Sequence, residues 1–103
     1  MNEKEFDKCF KRNLKGIKFE KSGKTEKAII LYEKNIKEGF DGSYPYDRLA
    51  IIYHKLGRLD DEIRVLKKAI SVFENISNRR GDKDVKLAKF KKRLNKISNK
   101  EKK

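Results

Sequence analysis

The residues best suited to nucleophilic or metal chemistry in this sequence are one cysteine, Cys9, and one histidine, His54. Nucleophilic catalysis by cysteine needs an adjacent base that is held in place by a third group. Cys9 and His54 lie far apart in the sequence, and no motif around either residue orients one towards the other. A single histidine also excludes a cluster of histidine metal ligands. We therefore expect Cys9, which follows the first turns of a helix beside Phe10, to pack as a small hydrophobic residue.

Two further patterns contain groups that are used in catalysis or ligand binding, and both have simpler explanations. The acidic run Asp60-Asp61-Glu62 has the groups for acid–base catalysis or for cation binding, but it also stands where a helix begins. Carboxylates are favoured there by the helix dipole. Gly39 and Gly42 lie in a turn without the Lys-Ser/Thr pair that a phosphate-binding loop needs. The sequence predicts a protein that is not an enzyme and that has no cofactor and no metal.

Charge is the strongest compositional signal, because the 103 residues have a formal net charge of +13. From Arg79 onward there are 12 basic and 3 acidic residues, against 17 and 13 in the preceding part. Such a basic segment is typical of proteins that contact an acidic partner such as nucleic acid, and it is also typical of a merely well-solvated surface. The sequence leaves both interpretations open.

Length and composition predict one small domain, and the helical spacing of its apolar residues predicts that it is all-α. No apolar run approaches the length that spans a membrane, and the lone cysteine favours a reducing cytoplasm. Apolar spacing and helix-ending glycines predict five helices, and no segment has the pattern of a strand. The first, second and last are expected at about 3–21, 25–38 and 82–98. The third begins around Pro45 and closes at Gly57, and the fourth opens at Asp60 and precedes a polar turn at 77–81.

The first and last of these helices each carry a stripe of apolar residues along one side. Along the first, Phe6, Phe10, Leu14 and Ile17 recur at steps of four, four and three. Along the last, apolar residues from Leu87 to Ile97 follow a similar rhythm and predict a face that closes the core. A basic arc adjoins that face and consists of Lys86, Lys89, Arg93, Lys96 and Lys100.

A period of about 34 residues organises the middle of the chain, and this length is typical of helical repeats. It superposes Ile17 on Ile51, Lys21 on Lys55, Gly23 on Gly57, Ile29 on Ile63, Lys34 on Lys68 and Ile36 on Ile70. A fixed period of this size is the signature of stacked supersecondary units that each need a neighbour to bury their apolar face.

The period and the residue types resemble the tetratricopeptide repeat (TPR) family. The residues that match are Gly16, Phe19, Gly23, Ala28 and Tyr32 in the first unit and Tyr46, Leu49, Ala50, Tyr53, Gly57, Leu66 and Ala69 in the second. The resemblance implies a short α-solenoid of two antiparallel helical hairpins, about 9–42 and 43–76, followed by a basic capping helix at about 82–98. The sequence departs from the pattern at Arg12, Lys15, Phe40 and Glu62.

The resemblance also implies a concave surface that binds a peptide or helix of another protein. The residues that it places there are Asn13, Ile17, Glu20, Lys21, Asp47, Arg48, Ile51, His54 and Lys55. The Lys and Asn set with which some members hold a peptide's carboxylate is largely missing. From the concave surface as a whole we expect an adaptor that acts by protein binding, with no membrane partner.

Three alternatives stay open at the level of sequence. The basic arc predicts binding to nucleic acid or a ribonucleoprotein, although it has no interleaved aromatic residues for base stacking. A small inhibitor or regulator of a larger protein machine, of the kind that mobile elements encode, would use the same surfaces. A stack of only two units also leaves homodimer formation open, since three repeats are the usual minimum.

Overall fold

The computed structural model describes residues 1–76 and 83–101, with side chains as far as Ser98. This part of the chain is all-α and contains no strand. Its helices are α1 (Glu3–Lys21), α2 (Thr25–Lys37), α3 (Tyr44–Lys55), α4 (Leu59–Asn75) and α5 (Lys83–Glu101). The predicted all-α class is confirmed. α5 extends beyond the predicted end at Ser98, whereas the predicted turn at 77–81, Asp82, Lys102 and Lys103 lie outside the described residues.

Local sequence explains where the helices begin and end. The Asn2 side chain accepts a hydrogen bond from the Glu5 amide at 2.8 Å and caps the start of α1. Pro45 lies in the first turn of α3, where no amide donor is needed. The acidic run at residues 60–62 occupies the first turn of α4, as the helix dipole favours.

The turns after α1 and α3 have the same geometry and lie one repeat period apart. Gly23 and Gly57 have φ values of 75° and 70°, a left-handed conformation that strains residues with a Cβ atom. In each turn the amide of the next residue donates across five residues, from Lys24 to the Phe19 carbonyl at 2.8 Å and from Arg58 to the Tyr53 carbonyl at 2.9 Å. Both helices therefore end in the same glycine-dependent cap.

Consecutive helices pack against each other from α1 through α5. Their shared core is apolar and largely aliphatic, with Tyr32, Leu49, Tyr53 and Leu66 fully or almost fully buried. α5 joins this core through Phe90, whose ring lies 5.5 Å from that of Phe73 and 6.3 Å from that of Tyr46 between centroids. These edge-to-face contacts fix α5 against α3 and α4.

The departures from the repeat pattern at three positions each have a local partner. Arg12 forms an ion pair with Glu38 and donates to the Asn35 side chain at 3.2 Å. Phe40 is buried, and its ring lies 5.2 Å from that of Phe6. Glu62 is buried and lies 3.2 Å from the Nδ1 atom of His54.

Candidate functional site

An open cleft of about 830 Å³ is lined by α1, by residues 40–44, by the C-terminal end of α4 and by the start of α5. One wall is the apolar stripe of α1, which consists of Phe6, Phe10, Leu14 and Ile17. The other wall and the floor include Phe40, Tyr44, Phe73, Ile76, Lys83 and Lys86, and the polar residues Asn13, Glu3 and Asp41 also line the cleft.

The α1 stripe remains partly uncovered along this wall. Phe10 and Leu14 are 48% and 47% exposed, and Tyr44 across the cleft is 39% exposed. Phe6 stacks on Phe10 with ring centroids 6.4 Å apart. A contiguous apolar strip that neighbouring helices leave open is the kind of surface that marks an interaction site.

α1 packs on α2 through a different face, and this face is made of small and polar residues. Cys9, Asn13 and Gly16 are the buried positions of the helix. The Asn35 side chain of α2 donates to the Asn13 side chain and to the Cys9 carbonyl, both at 2.8 Å. Because this face already makes the helix–helix contact, the apolar stripe points into the cleft.

A partly buried ion pair links α1 to α3 one turn after the C-terminal end of the stripe. The Nη2 and Nε atoms of Arg48 donate to the Glu20 carboxylate at 2.5 and 3.2 Å, and the Tyr32 hydroxyl donates to it at 2.6 Å. Burial alone would raise the pKa of Glu20, but the hydrogen bonds from Arg48 and Tyr32 outweigh it and hold that pKa below its ordinary value. Burial and the bond to Glu20 raise the pKa of the Tyr32 phenol, so it stays a donor.

The residues placed on the concave surface by the family resemblance have different environments. Ile17 lines the cleft, whereas Asn13 is buried against α2 while also bordering the cleft. Glu20 and Arg48 pair with each other, and Asp47 pairs with Lys89 at 3.4 Å. Ile51 is partly buried, and Lys21, His54 and Lys55 are exposed.

The basic arc of α5 borders the same region. Lys86 lines the cleft together with Asn13 and Ile17, and Lys89 reaches Asp47 on α3. Arg93 is partly buried and Lys96 is exposed, while the side chain of Lys100 lies outside the described residues. Two surfaces that the sequence could treat only as separate hypotheses are therefore adjacent.

The structure gives Cys9 and His54 separate partners. The Cys9 thiol is buried next to Arg12, and burial followed by the charge of Glu38 raises its pKa, which disfavours the nucleophilic thiolate. His54 contacts Glu62. Within residues 1–76 and 83–101, no group of three or more His, Cys, Asp or Glu side chains is arranged to hold a metal ion.

Sequence reasoning did not assign Phe6, Phe10, Leu14 and Tyr44 to a site. The spacing of the first three was visible, but a helical apolar stripe predicts a buried face as readily as a binding face. The deciding feature is that the face of α1 with Cys9, Asn13 and Gly16 packs on α2, where Gly16 lies directly under the Tyr32 ring.

Comparison of the chain with protein-family models, with curated proteins and with solved structures finds no match. None of the helices in the described part of the chain is long and apolar enough to cross a bilayer.

Proposed function

We propose that this protein is a non-enzymatic, cytoplasmic interaction module, a short TPR-like α-solenoid that binds a peptide or helix of another protein. The observation that carries the proposal is the half-exposed apolar stripe of α1 in the cleft. Such a surface is costly to leave in water and gains free energy when a partner covers it.

The TPR-like arrangement is supported by three features. The turns after α1 and α3 share one capping geometry, at glycines that the sequence period superposes. Consecutive helices contact each other along the chain. The α5 stripe predicted to close the stack supplies Phe90 and Ile97 to the core.

The expected gain in binding can be sized from the exposed side chains. Complete burial of a Leu or Phe side chain contributes roughly 1.5–3 kcal/mol. Phe10 and Leu14 have about half of their surface left to bury, so each contributes roughly 1 kcal/mol on this scale. A partner that uses several such contacts reaches an affinity in the micromolar range, about −8 kcal/mol, only with additional polar contacts.

A selection from a random peptide library displayed on phage tests this function. We expect peptides with regularly spaced apolar residues to be enriched on the native chain, and their affinity to fall roughly tenfold with Leu14→Ser, since tenfold corresponds to about 1.4 kcal/mol. The matched control is Ile30→Ser on α2, because Ile30 is also exposed, at 65%, but does not line the cleft. No enrichment, or equal losses in the two variants, would reject the cleft as the binding site.

A further inference from the structure

The chemistry of the cleft's walls indicates what kind of partner fits it. We propose that the occupant is an amphipathic helix of another protein, with an apolar ridge against the α1 stripe and acidic residues against Lys86, Arg93 and Lys96 of α5. This inference rests on the proposed function and adds the chemical class and orientation of the partner.

The spacing of the α1 stripe favours a helical occupant. Phe6, Phe10, Leu14 and Ile17 follow steps of four, four and three and extend for about 16 Å along α1 at 1.5 Å per residue. A row with this spacing interdigitates with the equivalent row of another helix. Recognition of a helix in a groove uses anchors with the same rhythm.

The basic arc of α5 begins at this groove, where Lys86 belongs to the lining, and continues along the same side of the helix beyond it. Residues 86, 89, 93 and 96 are three or four positions apart and so lie on one side of α5. Two of them identify that side, since Lys86 lines the cleft and Lys89 contacts Asp47 on α3. Lys91, on another side, pairs with Glu74 of α4 at 3.9 Å.

Most cations of the arc are available for ion pairs with a partner. Lys89 is paired with Asp47, but no ion pair within the described residues involves Lys86, Arg93 or Lys96. Two carboxylates line the cleft: Glu3 is the first residue of α1, and Asp41 lies in the segment before α3. An acidic flank on the partner would therefore be placed along α5, away from these carboxylates.

Charge and surface character distinguish this occupant from two others. A second copy of the chain carries the same net charge of +13, so two copies repel each other on approach. A nucleic acid would meet the lysines and the exposed rings of Phe10 and Tyr44, but it would also meet the carboxylates of Glu3 and Asp41, and it has no apolar ridge to cover the aliphatic Leu14 and Ile17. An acidic helix satisfies both the apolar stripe and the basic arc.

Synthetic probes of about five helical turns, or roughly 18 residues at 3.6 residues per turn, test the inference. The first peptide carries leucines at steps of four, four and three and glutamates on one flank. The second replaces the glutamates with lysines, and the third replaces the leucines with serines. Oligouridylate of similar length is the nucleic-acid probe. Binding is measured by fluorescence anisotropy at about 0.15 M NaCl.

We expect the Leu–Glu peptide to bind at least about tenfold more tightly than either peptide variant. The triple change Lys86→Glu/Arg93→Glu/Lys96→Glu is expected to weaken it about tenfold or more, since reversed charges repel the glutamates. The control is Lys34→Glu/Lys67→Glu/Lys68→Glu, which alters net charge equally at exposed positions on α2 and α4 outside the cleft lining and is expected to change affinity less than about twofold. Circular dichroism verifies that both variants fold.

Equal binding of the Leu–Glu and Leu–Lys peptides would overturn the acidic-partner inference and leave the proposed function standing. Failure of all three peptides would also overturn it, and the library selection would then decide the proposed function separately. Preferential binding of oligouridylate, lost with the α5 triple variant, would show a phosphate-binding surface and would contradict the inference.

Discussion

Glu20 is the residue through which the side chains of three helices meet. Its carboxylate on α1 accepts hydrogen bonds from Tyr32 on α2 and from Arg48 on α3. Because these donors outweigh the effect of burial, the pKa of Glu20 lies below its value in the unfolded chain. A carboxyl with a lowered pKa stabilises the folded state above its unfolded pKa, and this stabilisation disappears as the pH falls through the folded pKa.

The change Glu20→Gln is therefore expected to have a pH-dependent effect on stability. At pH 7 it should lower the free energy of unfolding by about 1–3 kcal/mol, because it removes charge-assisted hydrogen bonds. The difference from the native chain should shrink as the pH falls below about 4, the ordinary range of the Glu pKa, and Glu20 becomes protonated. Urea unfolding of both chains at several pH values between about 3 and 7 measures this difference in the free energy of unfolding.

The control for this prediction is Glu26→Gln, since Glu26 is exposed on α2. A gap between Glu20→Gln and the native chain that stays constant from neutral to acidic pH would contradict the assigned role of the Glu20 charge.

Gly16 is needed for the close approach of α1 to α2. A Cβ atom at this position would lie 2.6 Å from Cε1 of Tyr32 and 2.8 Å from Cζ, and Tyr32 is fully buried. Gly16→Ala gains up to about 1 kcal/mol in helix propensity, whereas overpacking a core costs about 1–3 kcal/mol. We expect a net loss of roughly 1 kcal/mol in the free energy of unfolding by urea titration.

Lys15→Ala is the matched control for Gly16→Ala, because Lys15 is the exposed neighbour on the same helix. It should alter stability by no more than about 0.5 kcal/mol. If Gly16→Ala instead stabilises the chain, Tyr32 can move and the close contact is not limiting.

At the scale of elements, α1 and α5 use their apolar stripes in opposite ways. The α5 stripe buries Phe90 and Ile97 in the core, while the α1 stripe leaves Phe10 and Leu14 about half exposed. Phe90→Ala is expected to lower the free energy of unfolding by about 3–5 kcal/mol, the usual cost of deleting a buried aromatic ring. Phe10→Ala is expected to cost about 1 kcal/mol, because much of its ring is already in water.

Urea unfolding compares the two variants, and hydrogen exchange shows where the loss occurs. In Phe90→Ala, the amides of α5 should lose protection first, since the ring joins α5 to Phe73 and Tyr46. Equal costs for the two changes would mean that α5 is not held by this aromatic cluster.

The same contrast shows what sequence reasoning could and could not predict. Helix spacing and glycine punctuation predicted five helices with ends close to those observed. They did not predict which face of α1 packs inward, because the stripe of Phe6 to Ile17 has the period of a buried face. Burial of Asn13 depends on its pairing with Asn35 on the next helix, and one helix's periodicity contains no information about that partner.

At the scale of the whole molecule, the fold unites two features that are separate in the sequence. The α1 stripe and the basic arc of α5 lie on the first and the last helix, yet Ile17 and Lys86 line one cleft. Sequence alone could not connect these features, since no local pattern specifies that the first and last helices border the same space. Their adjacency depends on how the intervening helices pack.

The concentration of positive charge has a consequence for the entire chain. A net charge of +13 on 103 residues makes the folded state repel itself, because folding brings like charges closer together. Salt screens this repulsion, and the screening length falls from about 10 Å at 0.1 M to about 3 Å at 1 M. The melting temperature is therefore expected to rise by a few degrees between low and moderate NaCl concentration, since about 1 kcal/mol shifts it by roughly 4–8 °C in a domain of this size.

The variant Lys67→Glu/Lys68→Glu/Lys92→Glu separates this effect from other actions of salt. Each change replaces a positive charge with a negative one at an exposed position and so lowers the net charge by two, which decreases self-repulsion while the core is untouched. The variant should melt at a higher temperature than the native chain at low salt and should respond less to added NaCl. A melting temperature that falls as NaCl is added would instead mean that ion pairs such as Arg48–Glu20 and Arg64–Glu33 contribute more to stability than the excess charge removes.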